Sequence, residues 1–114
     1  MAVDCLFCRI AAKEMSTELL LETENIVAFR DINPVAPTHI LIIPKKHIPS
    51  LAHLDKTDQS IMGELALAAS DLARREGLDD GYRLVANTGT HGGQTISHLH
   101  FHLLGGRSLK WPPG

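Results

Sequence analysis

Histidine and apolar residues alternate along the segment 97–104, and this alternation constrains the fold more than any other feature of the chain. The segment reads Ser-His-Leu-His-Phe-His-Leu-Leu. Because successive side chains of a β-strand point to opposite faces, the pattern predicts a strand with one histidine face and one apolar face. The histidine face would carry His98, His100 and His102. The apolar face, which would enter the core, would carry Leu99, Phe101 and Leu103.

Three imidazoles on one face allow two interpretations. A solvated face is the simpler one, since polar residues ordinarily face water in an antiparallel sheet. Lys, Thr or Glu would serve such a face equally well, so we favour a cluster in which the rings orient one another. A neutral imidazole donates from one nitrogen and accepts at the other. A neighbour that accepts from one nitrogen therefore leaves the other free as a base, a ligand or a nucleophile.

The rest of the chain predicts an α+β fold. Apolar residues recur at three- and four-residue spacing over 57–76, which predicts one long helix, and a short N-terminal helix is expected at 7–14. Further strands are predicted at 18–22, 26–31, 39–43 and 82–87. Two prolines exclude a strand from 33–37, and 88–93 is a glycine-rich loop. The sum is an antiparallel sheet of about five strands with the long helix over one face.

Length and composition exclude several classes of protein. A chain of 114 residues forms one domain, which we expect to span 1–114. Its net charge of −2 gives no bulk attraction to nucleic acid or membranes. No apolar run approaches the roughly 20 residues of a membrane span, and the N-terminus does not resemble a signal peptide. Two cysteines are too few for a secreted disulfide framework, so we expect a cytoplasmic protein.

A glycine-rich loop precedes the histidine segment, with the sequence Gly-Thr-His-Gly-Gly-Gln-Thr over 89–95. Glycines let backbone amides approach an anion closely, and a following hydroxyl can add a hydrogen bond. Such turns are common and often purely structural. Beside three histidines on one face, the loop predicts a phosphate site next to a nucleophile.

Cys5 and Cys8 are separated by two residues, the spacing of a metal-binding knuckle. Two further ligands would be needed to complete such a site. Free buried thiols and a redox pair are the alternative interpretations.

The segment His98–Leu104 resembles the signature of the histidine triad (HIT) family, in which three histidines alternate with apolar residues. Further blocks resemble the family in the same order along the chain: 29–34, 36–39, 43–47, 92–94 and 105–107. The ending Trp111-Pro-Pro-Gly114 is similar to the Hint branch, the histidine-triad nucleotide-binding proteins. The resemblance covers nearly the whole chain and implies a HIT-like fold.

The resemblance to the Hint branch implies a purine nucleoside phosphoramidase. Such an enzyme hydrolyses the P–N bond of adenosine or guanosine 5′-phosphoramidates and releases the nucleoside monophosphate and an amine. The middle histidine of the triad, His100, would be the nucleophile and would form a covalent nucleotidyl-histidine. His98, His102 and His39 would hold its tautomer and shape the phosphate site. No cofactor is required for this chemistry.

The resemblance also implies which residues bind the nucleotide. Purine and ribose would contact Phe7, Phe29, Asp31 and Ile32, although core packing is an equal alternative for the two phenylalanines. Asn87 would contact the ribose or the phosphate. The phosphate would lie against His100, His102 and backbone donors around Gly93, Gln94 and Thr95. The family often has Ser at position 95; Thr95 keeps the hydroxyl, but its extra methyl group restricts χ1.

Two more properties follow from the resemblance. Some bacterial members of the superfamily carry a structural zinc, and the matching ligands here are Cys5, Cys8, His47 and His98. The presence of His47 does not decide this, because Hint-branch proteins without the cysteines often have His there too. The family is also dimeric, so we expect a homodimer in which the tail 105–114, with Trp111, reaches the active site of the partner.

Three other functions remain open at this stage. A dinucleoside polyphosphate hydrolase is the alternative within the superfamily, and the ending of the chain argues for the phosphoramidase instead. A nucleotide-binding regulatory module with little turnover is the alternative from another class. A zinc-dependent hydrolase with metal-activated water would place the metal at the triad itself. The amine or acyl part of the substrate and the choice between adenine and guanine stay undetermined.

Overall fold

The computed structural model describes residues 4–114, so the first three residues of the domain predicted at 1–114 lie outside the described part of the chain. Within this part, three helices and five strands occur, together with 3₁₀ turns at Leu51–His53 and Lys56–Asp58. The helices are α1 (Leu6–Ala11), α2 (Gln59–Arg75) and α3 (Gly89–Gly92). The strands are β1 (Leu21–Glu22), β2 (Ile26–Arg30), β3 (Thr38–Pro44), β4 (Tyr82–Val85) and β5 (Phe101–Gly105).

The five strands form one antiparallel sheet in the order β1-β2-β3-β5-β4. β3 lies at the centre, between β2 and β5, and its register with β5 places Leu41 opposite His102. β4 pairs with β5 at the end of this order, so it forms one edge of the sheet. The predicted α+β fold, with five antiparallel strands, one long helix and one short N-terminal helix, is confirmed.

Helices cover both faces of the sheet, which explains why all seven residues of β3 are buried. An apolar stripe on α2 packs against one face and consists of Leu65, Ala68, Ala69, Leu72 and Ala73. The opposite face packs against α1 through Phe7, Ile10 and Ala11. A strand buried on both faces must be apolar nearly throughout. The apolar run that predicted β3 follows from this double burial.

The strand predicted at 97–104 is shorter than expected, because sheet pairing begins at Phe101. The amide of Leu99 donates instead to the carbonyl of Ile48, at 2.6 Å, outside the sheet. The side chains of this segment nevertheless alternate between two faces, as predicted. Leu99 and Leu103 lie in the core cluster beneath α2, and Phe101 packs against that cluster.

The segment 88–93, predicted to be a loop, contains the short helix α3. Gly93 ends this helix with φ of 82°, a conformation that glycine adopts at little cost. The amides of Gly93 and Gln94 donate to the carbonyls of Thr90 and Gly89, both at 3.1 Å. These bonds close the last turn and explain why a glycine-rich sequence forms a helical turn here.

The remaining predicted elements differ from the structure only at their ends. The helices predicted at 7–14 and 57–76 are Leu6–Ala11 and Gln59–Arg75, and the strands predicted at 18–22, 26–31, 39–43 and 82–87 are Leu21–Glu22, Ile26–Arg30, Thr38–Pro44 and Tyr82–Val85. Among residues 4–114, no helix combines the length and apolar character needed to cross a membrane.

Candidate active site

The three histidines of the alternating segment are not on a solvated face. His98 and His100 are buried, with 0% and 5% of their surface exposed, and His102 is half-buried. The ring centroids of His100 and His102 lie 4.9 Å apart. Phe7 packs against His100 and His98 in T-shaped pairs, at centroid distances of 5.1 and 5.9 Å. The simpler interpretation is therefore wrong, and the segment forms a packed cluster.

Backbone carbonyls fix the proton positions of the first two histidines. Nε2–H of His98 donates to the carbonyl oxygen of Pro44 at 2.8 Å, which leaves Nδ1 of His98 as an acceptor. Nδ1–H of His100 donates to the carbonyl oxygen of His98 at 2.7 Å. A neutral His100 therefore carries its lone pair on Nε2, the nitrogen free to act as a nucleophile.

His39 joins the cluster from β3 and fixes the third histidine. The amide of Val35 donates to Nδ1 of His39 at 3.1 Å, so the proton of this ring is on Nε2. Nε2 of His39 lies 2.9 Å from Nδ1 of His102 and 3.4 Å from Oδ2 of Asp31. Nδ1 of His102 therefore accepts a hydrogen bond, and the proton of His102 is on Nε2.

Burial favours the neutral form of these rings. It lowers the pKa of His102 to about 4, with the nearby rings of His100 and His39 adding to the effect and Asp31 opposing it. Burial also lowers the pKa of His39, again against the opposing charge of Asp31. The pKa of His98 is lowered by burial in the same way. The neutral tautomers assigned from the hydrogen bonds are thus the ones that the surroundings stabilise.

A second group of ligand atoms lies on the other side of His98. One atom each from Cys5, Cys8, His47 and His98 falls within 4.8 Å of all the others. Nδ1 of His98 lies 3.2 Å from Nδ1 of His47, 3.4 Å from Sγ of Cys5 and 3.5 Å from Sγ of Cys8. Sγ of Cys8 lies 3.2 Å from Nδ1 of His47. The sequence separates the cysteines from these two histidines by at least 39 residues, and the fold brings all four together.

The spacing of these atoms fits a tetrahedral zinc ion. With Zn–N near 2.0 Å and Zn–S near 2.3 Å, two nitrogen ligands lie about 3.3 Å apart and a nitrogen and a sulfur about 3.5 Å apart. Because Nε2 of His98 donates to Pro44, its Nδ1 presents the lone pair that a metal needs. Burial and the neighbouring Cys5 thiol raise the pKa of Cys8 to about 11. A bound cation would offset that penalty by stabilising the thiolate.

A third group, formed by Asp31, His39 and His102, is also close enough to hold a metal ion. The hydrogen bonds made by His39, however, indicate a role other than metal binding for this group. The Val35 amide occupies Nδ1 of His39, so this ring presents an N–H rather than a lone pair toward His102. The geometry therefore describes a donor–acceptor chain, and it does not favour the metal-activated water that the sequence left open at the triad.

The predicted base and ribose residues occupy two different environments. Phe7, in α1, and Phe29, in β2, are both buried in one core cluster, with their ring centroids 5.7 Å apart. Ile32 is 91% exposed, and Asp31 lies next to it in the loop after β2. Oδ1 of Asp31 accepts from the amide of Asn33 at 2.8 Å. Of the four predicted residues, the two phenylalanines are thus core residues, whereas Asp31 and Ile32 lie in the loop after β2.

The predicted phosphate loop is partly engaged in its own hydrogen bonds. The amides of Gly93 and Gln94 close α3, as described above. The side chain of Gln94 donates to the carbonyls of Pro49 and Ile96 and accepts from the amide of Gly89. Thr95 lines a cavity beside Cys5 and His47, and Asn87 lies half-buried between β4 and α3. Two of the three amides assigned to the phosphate are therefore already paired.

Sequence reasoning missed the three backbone groups that set the tautomers, the Val35 amide and the carbonyls of Pro44 and His98. Every residue except proline carries the same amide, so no side-chain pattern identifies the one that faces a ring. Pro34 and Pro37 bracket Val35 and were the available signal, because they hold the loop out of the sheet.

The fold and the site together define a class of small α+β proteins in which a buried histidine cluster is formed around the start of one sheet strand. Residues 12–109 match the family model described as "HIT domain". The chain belongs to this family.

Similar proteins cover almost the whole chain. An uncharacterized HIT-like protein of Synechococcus elongatus is 48% identical over 114 residues, which is 100% of both proteins. The structure of a HIT family hydrolase from Legionella pneumophila Philadelphia 1 superposes with a TM-score of 0.95 at 50% identity, covering 97% of this chain and 100% of that one. A histidine triad nucleotide-binding protein from Candida albicans superposes with a TM-score of 0.82 at 30% identity, covering 96% of this chain and 83% of that one.

We predict that acid destabilises the protein through the histidine cluster. The pKa of His102 is about 4 in the folded protein against an ordinary 6.5, so the unfolded chain binds more protons between these values. Its contribution to stability is complete above pH of about 6.5 and is lost as the pH falls toward 4. The urea midpoint at pH 7, 6, 5 and 4 measures this loss.

The matched variants for this measurement are His102→Gln and His53→Gln. His53 lies in a 3₁₀ turn outside the cluster. The carboxylates titrate alike in all three proteins, so the slope of stability against pH should be shallower in His102→Gln alone. Equal slopes in wild type and His102→Gln would contradict the prediction.

Proposed function

We propose that this protein is a hydrolase of the Hint branch that cleaves the P–N bond of purine nucleoside 5′-phosphoramidates through a nucleotidyl-histidine at His100. One observation carries this proposal. Nδ1–H of His100 is held by the carbonyl of His98, so the lone pair lies on Nε2 within a buried cluster of imidazole rings. A nucleophile with a fixed tautomer has no competing protonated nitrogen at the reacting position.

In the first step, Nε2 of His100 attacks the α-phosphorus and forms a new N–P bond. The P–N bond to the amine breaks, and the amine departs with the bonding electron pair and takes a proton from solvent. In the second step, water attacks the same phosphorus and gives up a proton to solvent, the bond to His100 breaks with its electron pair returning to Nε2, and the nucleoside monophosphate leaves. Covalent catalysis thus replaces one difficult displacement with two easier ones.

His102 contributes a donor to this chemistry. Its Nδ1 accepts from His39, so its Nε2 carries a proton and is available to the phosphoryl oxygens. Negative charge spreads over these oxygens in the transition state, and a preorganised donor in a partly buried site stabilises that charge. We assign His98 and His39 the role of holding His100 and His102 in the required tautomers.

The nucleotide would lie against the loop after β2. Ile32 presents a nearly fully exposed apolar side chain there, and the Asp31 carboxylate beside it is suited to ribose hydroxyls. Phe7 and Phe29 would support this slot from the core, and Asn87 would contact the ribose or the phosphate. Gly93, Gln94 and Thr95 would approach the phosphate, with Thr95 supplying a hydroxyl.

The relatives support a nucleotide hydrolase in general terms. The Legionella pneumophila protein is called a hydrolase, and the Candida albicans protein is called nucleotide-binding. The ending Trp111-Pro-Pro-Gly114 favours the Hint branch within the family. A dinucleoside polyphosphate hydrolase and a binding module with little turnover are the alternatives that the experiment below separates.

We further propose that Cys5, Cys8, His47 and His98 hold a structural zinc ion. Four of the six distances between the ligand atoms are 3.2–3.5 Å, close to those around a tetrahedral zinc ion, and Cys₂His₂ is an established structural set. When bound, zinc would supply a rigid cross-link between α1, the segment after β3 and the histidine segment. We place the protein in the cytoplasm, where free thiols such as these stay reduced.

We also propose a homodimer. β4 forms an edge of the sheet, and Tyr82 and Leu84 project from it with 46% and 38% of their surface exposed. Trp111, in the tail 105–114, is 82% exposed. An unpaired edge strand with apolar side chains is an unusual surface for a monomer. A second copy would cover it and bring the tail to the partner's site.

We predict that His100→Ala lowers the hydrolysis of adenosine 5′-phosphoramidate at least about 1,000-fold, because the covalent step is removed. His53→Ala, outside the cluster, should hydrolyse the substrate at the wild-type rate. Intact mass during turnover should show a transient nucleotidyl adduct in wild type. Hydrolysis that survives in His100→Ala would contradict the assignment, and a wild type that binds AMP without turnover would favour the binding module. Faster hydrolysis of a dinucleoside polyphosphate would favour the alternative hydrolase.

We predict one zinc per chain in protein purified without chelator, measured by elemental analysis. Cys5→Ser should reduce this to well under one, because a hydroxyl replaces a thiolate ligand. His91→Ala, which changes a histidine of α3 outside the ligand group, should retain the metal. A wild type with well under one zinc per chain would refute the site.

We predict that light scattering at micromolar concentration gives twice the chain mass of 12.5 kDa. Leu84→Lys should shift the protein toward the monomer, since it places a charge on the edge of the sheet. Met15→Lys, at an exposed apolar residue remote from β4 in sequence, is the control and should remain dimeric. A 12.5 kDa species in wild type would end the proposal.

A further inference from the structure

The side chain of Arg107 joins the segment after β5 to the loop between β2 and β3. Its Nε and Nη2 both donate to the carbonyl oxygen of Val35, at 3.3 and 2.9 Å. Its Nη1 donates to the carbonyl of Ser108 at 3.1 Å. A guanidinium that donates twice to one carbonyl fixes both the distance and the direction of that peptide group.

Gly106 permits this contact because it brings the two segments unusually close. Its φ is 91°, and a Cβ added at this position would lie 2.8 Å from Cβ of Pro37. A side chain here would displace the proline loop, and a positive φ is itself costly for other residues. The glycine before Arg107 therefore lets the guanidinium reach the loop.

Val35 links this contact to the histidine cluster. Its carbonyl accepts from Arg107, while its amide donates to Nδ1 of His39. Nε2 of His39 in turn faces Nδ1 of His102 at 2.9 Å. Three consecutive contacts thus connect an exposed arginine to the ring beside His100.

We propose that Arg107 is a positioning residue for the histidine cluster: by holding the Val35 carbonyl, it keeps the Val35 amide on Nδ1 of His39 and so fixes the proton of His39 on Nε2, facing His102. Without this anchor, Val35 is held only by its loop, and Nδ1 of His39 becomes accessible to a proton. The consequence for catalysis rests on the proposed function, whereas the tautomer of His39 does not.

The titratable groups that face His39 and His102 determine whether loss of the Arg107 contact favours or disfavours protonation of His39. His39 faces Asp31 from the loop after β2 and His102 from β5. His102 faces His39 and, along its own segment, His100. The nearest charge is the Asp31 carboxylate, which favours a cationic His39. When the Val35 amide no longer donates to Nδ1 of His39, the Asp31 carboxylate stabilises a second proton on that ring. The hydrogen bond between His39 and His102 then no longer has one fixed donor and one fixed acceptor.

The test is the protonation state of His39, read by ¹⁵N NMR of the ring nitrogens between pH 5 and 8. In wild type we expect Nδ1 of His39 to remain unprotonated at pH 6. In Arg107→Gln the cationic fraction at pH 6 should rise about 3- to 10-fold, the effect of losing roughly one hydrogen bond. Arg107→Lys, which keeps the charge but not the paired donors, should fall between them.

Two controls separate this role from a general effect of losing an arginine. Arg75→Gln removes a guanidinium that donates to the carbonyl of Leu20, near the other edge of the sheet. Arg83→Gln removes the guanidinium that holds the tail through the carbonyls of Leu109 and Lys110. Both should leave the His39 signals as in wild type. A change in Arg83→Gln equal to that in Arg107→Gln would overturn the proposal, since it would assign the effect to the tail.

A second variant tests the same link without altering Arg107. Val35→Pro removes the amide that faces His39 while leaving the carbonyl, so it should give the same cationic His39. If Arg107→Gln is folded and its His39 retains the wild-type tautomer, the proposal is wrong. The kinetic test follows from the same measurement: kcat/KM of Arg107→Gln should fall at pH 6 by the fraction of His39 that has become cationic, and by less at pH 8. A wild type without turnover would refute the proposed function and leave the tautomer test intact.

Discussion

The hydrogen bond from Nδ1–H of His100 to the carbonyl of His98 is the interaction on which the rest of the site depends. It is made between residues only two positions apart, so it requires that the chain at 98–100 leave the sheet ladder. The Leu99 amide accordingly bonds to Ile48, and β5 begins at Phe101. Had sheet pairing continued back to residue 97, the His98 carbonyl would have accepted a hydrogen bond from a neighbouring strand instead of from His100. The shortened strand is thus a condition of the chemistry.

His98 connects the histidine cluster to the candidate metal group. Its Nε2–H bonds to Pro44, its carbonyl receives His100, and its Nδ1 faces the two cysteines. A fully buried imidazole with an unpaired nitrogen would cost about 1–3 kcal/mol, so each partner stabilises the position of the others. β3 makes this possible, because a strand covered by helices on both faces holds the Pro44 carbonyl rigidly.

Side-chain patterns predicted the fold class and three of the four clustered histidines, because alternation is a local property of an extended chain; the fourth, His39, came from the resemblance. Leu99 and Leu103 enter the core as expected even though only Leu103 lies in a paired strand. The spacing of Cys5 and Cys8 likewise suggested two of the four ligands of a metal site. The two histidine ligands came from the family resemblance, since His98 lies 90 residues from Cys8. The groups that set the tautomers were unpredictable for a physical reason. They are amides and carbonyls, which every sequence supplies and only the fold distinguishes.

Four histidines packed together are stable only if the cluster carries little charge. Burial lowers the pKa of His39, His98 and His102, and a proton added to one ring would repel protons on its neighbours. A ring that took a second proton would also lose its acceptor nitrogen, and with it the amide of Val35 or the contact with His39. The neutral state that allows these rings to be buried is therefore the same state that orders their donors and acceptors. The stability of the fold and the proposed chemistry therefore both require neutral rings. This shared requirement explains why a row of histidines can replace apolar residues at this position of the sheet.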